Sequence, residues 1–251
     1  MHFWDSSLIL AKNKYPMKGK LYLIPTTLGD GPVDAVIPAE AKNIISRLDI
    51  FIVENLRSAR RYIRKIDAGK PIDDITFFVL NKRTSGKELH EFLEPLNAGS
   101  DAGVITEAGV PGIADPGEDI VRLAHEWEIR VIPLTGPSSI TLALMGSGLN
   151  GQNFAFNGYL PIQSHQRIKK LKMLEKRSHQ ESQTQAFMET PYRNNQLLKD
   201  ILENCRDQTL LCIASNLTME NESIQTKTIK AWRKAVPDLH KQPAIFLLYA
   251  S

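Results

Sequence analysis

From residue 20 onward, short apolar runs rich in β-branched and aromatic residues alternate with longer stretches whose apolar positions recur three and four residues apart. The runs at 21–24, 50–53, 76–80, 103–105 and 130–134 predict strands, and the stretches at about 39–48, 57–66, 85–96 and 118–127 predict helices between them. Such repetition predicts a parallel sheet covered on both faces. The segment Thr135-Gly136-Pro137-Ser138-Ser139 then breaks the pattern and opens a helix reaching about Gly146. Beyond it, strands are expected at 154–159, 185–189, 209–214 and 244–249, with helices at 165–177 and 192–204. The polar segment 178–184 reads as an exposed loop.

The pattern therefore predicts two α/β domains, residues 18–134 with the parallel sheet and 135–251, with a ligand cleft between them, since domain junctions are common ligand sites. Residues 1–17 form an N-terminal extension. Its apolar Trp4, Leu8, Ile9 and Leu10 lack the cationic start and small-residue cleavage site of a signal peptide. Met17-Lys18-Gly19-Lys20 leads directly into the first strand, which makes Met17 a candidate start.

Composition narrows this only a little. With 251 residues, 42% hydrophobic and 24% charged, the chain can bury a full core. A net charge of +3 is too small to announce nucleic-acid binding, so any basic surface must be local. Cys205 and Cys212 fit a reducing compartment and stand in no metal-type spacing, and no run has the roughly 18 apolar residues of a membrane span. A cytoplasmic protein without membrane or metal is the expectation.

The chemistry concentrates in loops at predicted strand ends. Residues 106–117, Thr-Glu-Ala-Gly-Val-Pro-Gly-Ile-Ala-Asp-Pro-Gly, lie between an apolar strand and a helix, where open α/β sheets place their ligands. Gly109, Gly112 and Gly117 permit close backbone approach, and Pro111 and Pro116 stiffen the path; a plain tight turn is the competing reading. Gly29-Asp30-Gly31 after the first strand, with Glu54 after the second, suggests a dinucleotide fingerprint, but position 34 is Asp and the helix starts too late to abut a pyrophosphate. There is no P-loop run either.

Taken in order, the loops Pro25-Thr26-x-x-Gly29, Glu54-x-x-Arg57, 106–117, Gly136-Pro137-Ser138, Gly158-Tyr159-Leu160-Pro161 and Glu189-Thr190-Pro191-Tyr192-Arg193 resemble the S-adenosylmethionine-dependent methyltransferases of the tetrapyrrole-methylase fold (class III methyltransferases). Within them the chain is most similar to the small-subunit ribosomal RNA cytidine 2'-O-ribose methyltransferases, from about Gly19 to Ala250. The family's Glu-Asp-Thr-Arg is Glu54-Asn55-Leu56-Arg57 here, its Glu-Ser-Pro-His-Arg has Tyr192 at the histidine, and its Arg-Glu-Leu-Thr-Lys is Ser215-Asn216-Leu217-Thr218-Met219. The family also continues into a helical tail where this sequence stops at Ser251, which leaves methyl transfer on firmer ground than the RNA.

The resemblance implies a cofactor, S-adenosyl-L-methionine, held by Pro25, Gly29, Ala108, Gly109, Ile113, Asp115, Gly136, Pro137 and Thr190, and it implies a homodimer. For a ribose acceptor, Glu54, Glu107 and Glu189 are the candidate catalytic carboxylates, each equally readable as a loop cap or salt-bridge partner. Arg57, Arg60, Arg61 and Arg193 are candidate RNA contacts, joined by Arg64 and Lys65 on the same helix and by a second cluster at Arg167, Lys169, Lys170, Lys172, Lys176 and Arg177. Solvated helix faces explain such runs equally. Alternatives are a small-molecule methyltransferase acting on a tetrapyrrole, and a non-catalytic cofactor- or RNA-binding homologue.

Overall fold

The computed structural model describes residues 17–67, 69–81 and 83–250, so the expectations for residues 1–16 lie outside the described residues. The chain forms two compact units, one of residues through Thr26 with Pro38–Thr135, the other of Thr27–Ile37 with Gly136–Ser251. A division of the sequence at 134 assigns 27–37 to the first unit. In the structure this segment, with the short helix α1 (Val33–Val36), groups with the second, and Leu28 packs against that unit's core.

The first unit is built on β1 (Lys20–Ile24), β2 (Ile50–Val53), β3 (Thr76–Val79), β4 (Ala102–Ile105) and β5 (Arg130–Pro133), alternating with α2 (Ala39–Arg47), α3 (Leu56–Ile66), α4 (Gly86–Asn97) and α5 (Glu118–Glu126). Every pairing is parallel, in the order β3-β2-β4-β1-β5. Alternate residues of each strand face opposite ways, so Tyr22, Ile24, Phe51 and Val53 meet Ile44 and Ile45 of α2 and Tyr62 and Ile63 of α3. Leu21, Ile52 and Val104 meet Leu93 and Leu96 of α4 and Ile120 of α5 on the other face. Burying each such side chain contributes about 1.5–3 kcal/mol. Two helix starts are fixed locally: Asn55 accepts from Arg57 N and Ser58 N, and Ser85 and Glu88 form a capping box. Asn55, at the position of the aspartate in the family pattern, thus caps α3.

The second unit carries β6 (Phe154–Tyr159), β7 (Thr184–Met188), β8 (Leu210–Ser215), β9 (Ser223–Thr228) and β10 (Ala244–Tyr249). Their order is β6-β7-β10-β8-β9; only β6 and β7 run parallel. Helices α7 (Ser164–Glu181), α8 (Asn194–Asn204) and α9 (Ile229–Trp232) share a core with Phe187, Ile213 and Phe246, while α6 (Ser139–Ser147) packs with Ala186, Cys212 and Leu247.

One expectation needs correction, and one strand goes beyond those expected. Residues 178–184 are not an exposed loop, because α7 runs to Glu181 and β7 begins at Thr184. Their polarity is satisfied internally: the Ser178 hydroxyl accepts from Ala250 N at 2.9 Å, and Gln183 Nε2 donates to Asn153 Oδ1 at 2.8 Å. Strand β9 was not legible in the sequence, its alternation of Ile224 and Thr226 with polar residues being that of an edge strand beside β8.

Candidate functional site

In the first unit, chain leaving β1 and β2 reaches the helices of one face, and chain leaving β4 reaches α5 on the other. Adjacent strands whose connections diverge leave a crevice at their carboxyl ends. The loops there are tied together. Thr26 N donates to Gly109 O at 2.7 Å, and the Glu54 carboxylate accepts from Glu107 N at 3.3 Å. From α3, the Tyr62 hydroxyl donates to Pro25 O at 2.7 Å; burial holds this phenol far above its ordinary titration range, so it stays a donor. In the sequence this anchor is only a tyrosine on an apolar stripe, where a buried hydroxyl needs a partner.

Pro25, Glu54, Glu107, Ala108, Gly109, Ile113 and Asp115 are thus gathered on one edge. The 106–117 loop turns through positive φ at Gly109 (76°), Gly112 (78°), Ala114 (65°) and Gly117 (141°), a path on which glycine is nearly strain-free. It leaves Ala108 and Gly112 exposed, a side chain at Gly112 would meet no atom within 4 Å, and Ile113 is held out at 51% exposure. The loop thus offers exposed backbone, an open glycine, a presented apolar side chain and nearby carboxylates, groups able to meet a ligand of mixed polarity.

Asp115 is the carboxyl of this edge whose titration is shifted. Desolvation, then the charges of Glu54 and Glu107, push its carboxyl up to about 6, the nearby Thr106 hydroxyl opposing them. A carboxyl raised in the folded state favours folding while protonated, so this contribution is complete below about 3.8 and is lost as pH rises through about 6. Asp115→Asn is therefore expected to raise the melting temperature above pH 6 and to leave it unchanged below pH 4; an equal shift at both ends would contradict the assignment.

The second unit holds the remaining sites. Glu189, 5% exposed, follows β7; its Oε1 accepts from Arg193 at 2.6 Å and from Thr190 N at 2.7 Å. Burial pushes this carboxyl up, but the bonds from Arg193 and Thr190 outweigh it and leave it below the ordinary range. An ion-paired carboxylate of that kind is a poor proton acceptor. Gly29 lies under Met219, whose methyl sits 1.8 Å from where a Cβ would be, so the methionine standing where the family has lysine makes an apolar lid over that turn. Gly136 and buried Pro137 lead into α6.

Helix α3 carries Arg57, Arg60, Arg61, Arg64 and Lys65 and no acidic residue. With Leu56 they line a hollow of about 840 Å³. Arg57, Arg61 and Arg64 are exposed, while Arg60 lies over the Phe77 ring at 5.3 Å. The second basic cluster requires correction at Arg167, which is 3% exposed and not a surface cation. Its Nε donates to Asp200 Oδ2 at 2.7 Å and its Nη1 to the carbonyls of Pro161 and Ile162 at 3.2 and 2.6 Å. Lys169, Lys172, Lys176 and Arg177 remain exposed. Both cysteines are buried and free, burial pushing the Cys205 thiol up to about 12. Among the described residues no cluster of His, Cys, Asp and Glu could hold a metal ion, and no helix is long and apolar enough to cross a membrane.

The all-parallel sheet and the mixed sheet are shared with a solved structure, the crystal structure of the methyltransferase CobJ, which matches with a TM-score of 0.61 at 15% identity, over 93% of this chain and 95% of that one. The chain belongs to the Tetrapyrrole (Corrin/Porphyrin) Methylases, whose family model matches residues 20–232, and it is a methyltransferase. Its relatives include proteins named ribosomal RNA small subunit methyltransferase I. That of Haemophilus influenzae is 30% identical over 87% of this chain and 73% of the relative. That of Thermotoga maritima is 30% identical over 85% and 90%, and that of Escherichia coli O157:H7 is 27% identical over 92% and 78%.

Proposed function

We propose that the chain transfers a methyl group from S-adenosylmethionine to the 2'-hydroxyl of a ribose in small-subunit ribosomal RNA. The observation that carries this reading is the hydrogen-bonded assembly of the Pro25-Thr26, Glu54 and 106–117 loops at the carboxyl edge of a parallel sheet, on the unit whose α3 carries five cations and no acidic residue. The names of the relatives supply the substrate class. A cytoplasmic location with the ribosomal substrate and a homodimeric state complete the reading.

When bound, S-adenosylmethionine supplies an electrophilic sulfonium methyl and most of the reactivity. The chain's task is to hold donor and acceptor in line and to take up the hydroxyl proton. Backbone groups of Ala108, Gly109 and Ile113 would grip the donor, with Pro25 fixed behind them by Tyr62. Glu54 is engaged by Glu107 N and Glu189 by Arg193, so the carboxyl best matched to neutral pH is Asp115, near 6. In this reading it receives the proton of the ribose hydroxyl as the oxygen–methyl bond forms, and Glu54 and Glu107 tune it.

The exposed face of α3 gives the test for RNA. Replacing Arg57, Arg61 and Arg64 together by glutamine should lower affinity for single-stranded ribosomal RNA fragments. It should also flatten the salt dependence by about 0.7 in log–log slope for each phosphate that is no longer neutralised. The fold should persist, because spacing Arg57 and Arg61 four apart on a helix is mildly unfavourable to begin with. Unchanged affinity and slope would remove this surface from the reading. The tetrapyrrole alternative predicts that outcome; the non-catalytic alternative predicts donor and RNA binding without transfer.

A further inference from the structure

The second unit brings four segments to one edge of its sheet. Because β6 and β7 run parallel and β10 and β8 run opposite to each other beside them, the ends of β6, β7 and β8 and the start of β10 coincide. Lys241 N donates to Pro191 O at 3.0 Å, and Asn194 Nδ2 donates to Gln242 O at 2.6 Å, which locks the chain after β7 to the chain before β10.

This edge presents aromatic rings to solvent. Tyr192 is 71% exposed and meets His240 edge to face, with ring centres 6.2 Å apart. Tyr159, 57% exposed, stands at the end of β6 beyond a register shift. The two rings stand near Arg193, which is paired with Glu189, and near the exposed Lys241. Beneath them, Glu189 Oε2, Arg193 Nε and Asn194 Oδ1 are buried without a hydrogen-bond partner among the described residues. Unsatisfied buried polar atoms call for a partner, and a bound water or ligand at this edge would supply one.

We infer that this edge is a stacking platform for an unpaired nucleobase of the RNA substrate, with Tyr192 braced by His240 as the principal ring and Arg193 and Lys241 beside the adjoining phosphates. The inference rests on the RNA reading above and adds to it a second contact, one that recognises single-stranded rather than helical RNA. Single-stranded RNA is held by stacking its splayed bases on aromatic and guanidinium planes, and any base has a face to offer. A purely cationic surface such as α3 would hold a duplex equally well. An adenine of the methyl donor has the same stacking chemistry, but a ring as open as Tyr192 favours the larger ligand.

The test compares a labelled single-stranded oligoadenylate with an abasic strand of the same length, at fixed salt, on the full chain. The wild-type protein should prefer oligoadenylate, and Tyr192→Ala should weaken that binding roughly tenfold while leaving the abasic strand and S-adenosylmethionine affinity unchanged. Tyr192→Phe, which keeps the ring, should bind as the wild type does. Wild-type affinity in Tyr192→Ala, or an equal loss on both strands, overturns the platform. A loss of donor affinity with RNA binding intact assigns the ring to the donor's adenine and also overturns it. Failure of the wild-type protein to bind either strand would instead defeat the RNA reading itself.

Discussion

Replacing Asp200 by alanine is expected to destabilise the second unit by about 3–5 kcal/mol, a fall in melting temperature of roughly 10 °C or more. The side chains of Asp200 and Arg167 are only 5% and 4% exposed, and the guanidinium has no route to water once its counter-charge is gone. The carbonyls of Pro161 and Ile162 would still accept from it, but they carry no charge to offset its own. Removing one partner of a buried pair is the severe case; removing both is mild. Arg167→Met with Asp200→Leu should therefore recover most of the stability. By contrast, breaking the exposed Arg177–Glu181 pair on the same helix should change stability by under about 0.5 kcal/mol. Equal effects from Asp200→Ala and Glu181→Ala, measured by thermal melts, would contradict the burial that separates them. Because the pair also grips the chain just after β6, Asp200→Ala should loosen the edge that carries Tyr159.

The second large effect is functional. Gly109→Val is expected to lower the methyl-transfer rate on the order of 100-fold, with donor affinity measured by calorimetry falling in parallel. The backbone there stands at φ 76°, and the Gly109 carbonyl holds Thr26 N at 2.7 Å. An ordinary side chain in that conformation costs roughly 1–2 kcal/mol, and a β-branched one is a genuine outlier. Against a fold stability of about 5–15 kcal/mol the strain is tolerable, so the protein should still fold. What it should lose is the placement of Ala108 to Ile113. Gly109→Ala should fall between the two. A valine variant with wild-type donor affinity would mean that the loop does not touch the donor.

The parallel sheet and the 106–117 loop were legible because their signals are local: a buried strand reads as an apolar run, and a glycine-rich turn between strand and helix reads as a ligand loop. Glu107, Gly109 and Asp115 stand out within that loop and Glu54 at the end of the second strand, but the roles expected of them came from the resemblance. What the residues concealed was pairing over distance. Arg167 sits in a run of lysines and looks like one of them until Asp200, 33 positions on, draws it inside. Segment 178–184 looks solvated because its partners, Asn153 and Ala250, lie far along the chain. Asp115 could not be told from the neighbouring carboxylates, because its titration depends first on burial and then on Glu54 from another strand. Tyr192 was visible only as a departure from a histidine, and its exposure and its contact with His240 came with the fold.

The central claim is methyl transfer to a ribose hydroxyl by the loops at the sheet edge, and the most direct measurement is incubation of the protein with methyl-labelled S-adenosylmethionine and unmethylated small ribosomal subunits. The expected result is label in the RNA, on a nucleotide whose following phosphodiester resists alkali because its 2'-oxygen is blocked, and disappearance of that label with Gly109→Val. Label on a base, label only on a tetrapyrrole offered in place of the subunits, or donor binding with no label transferred would contradict it.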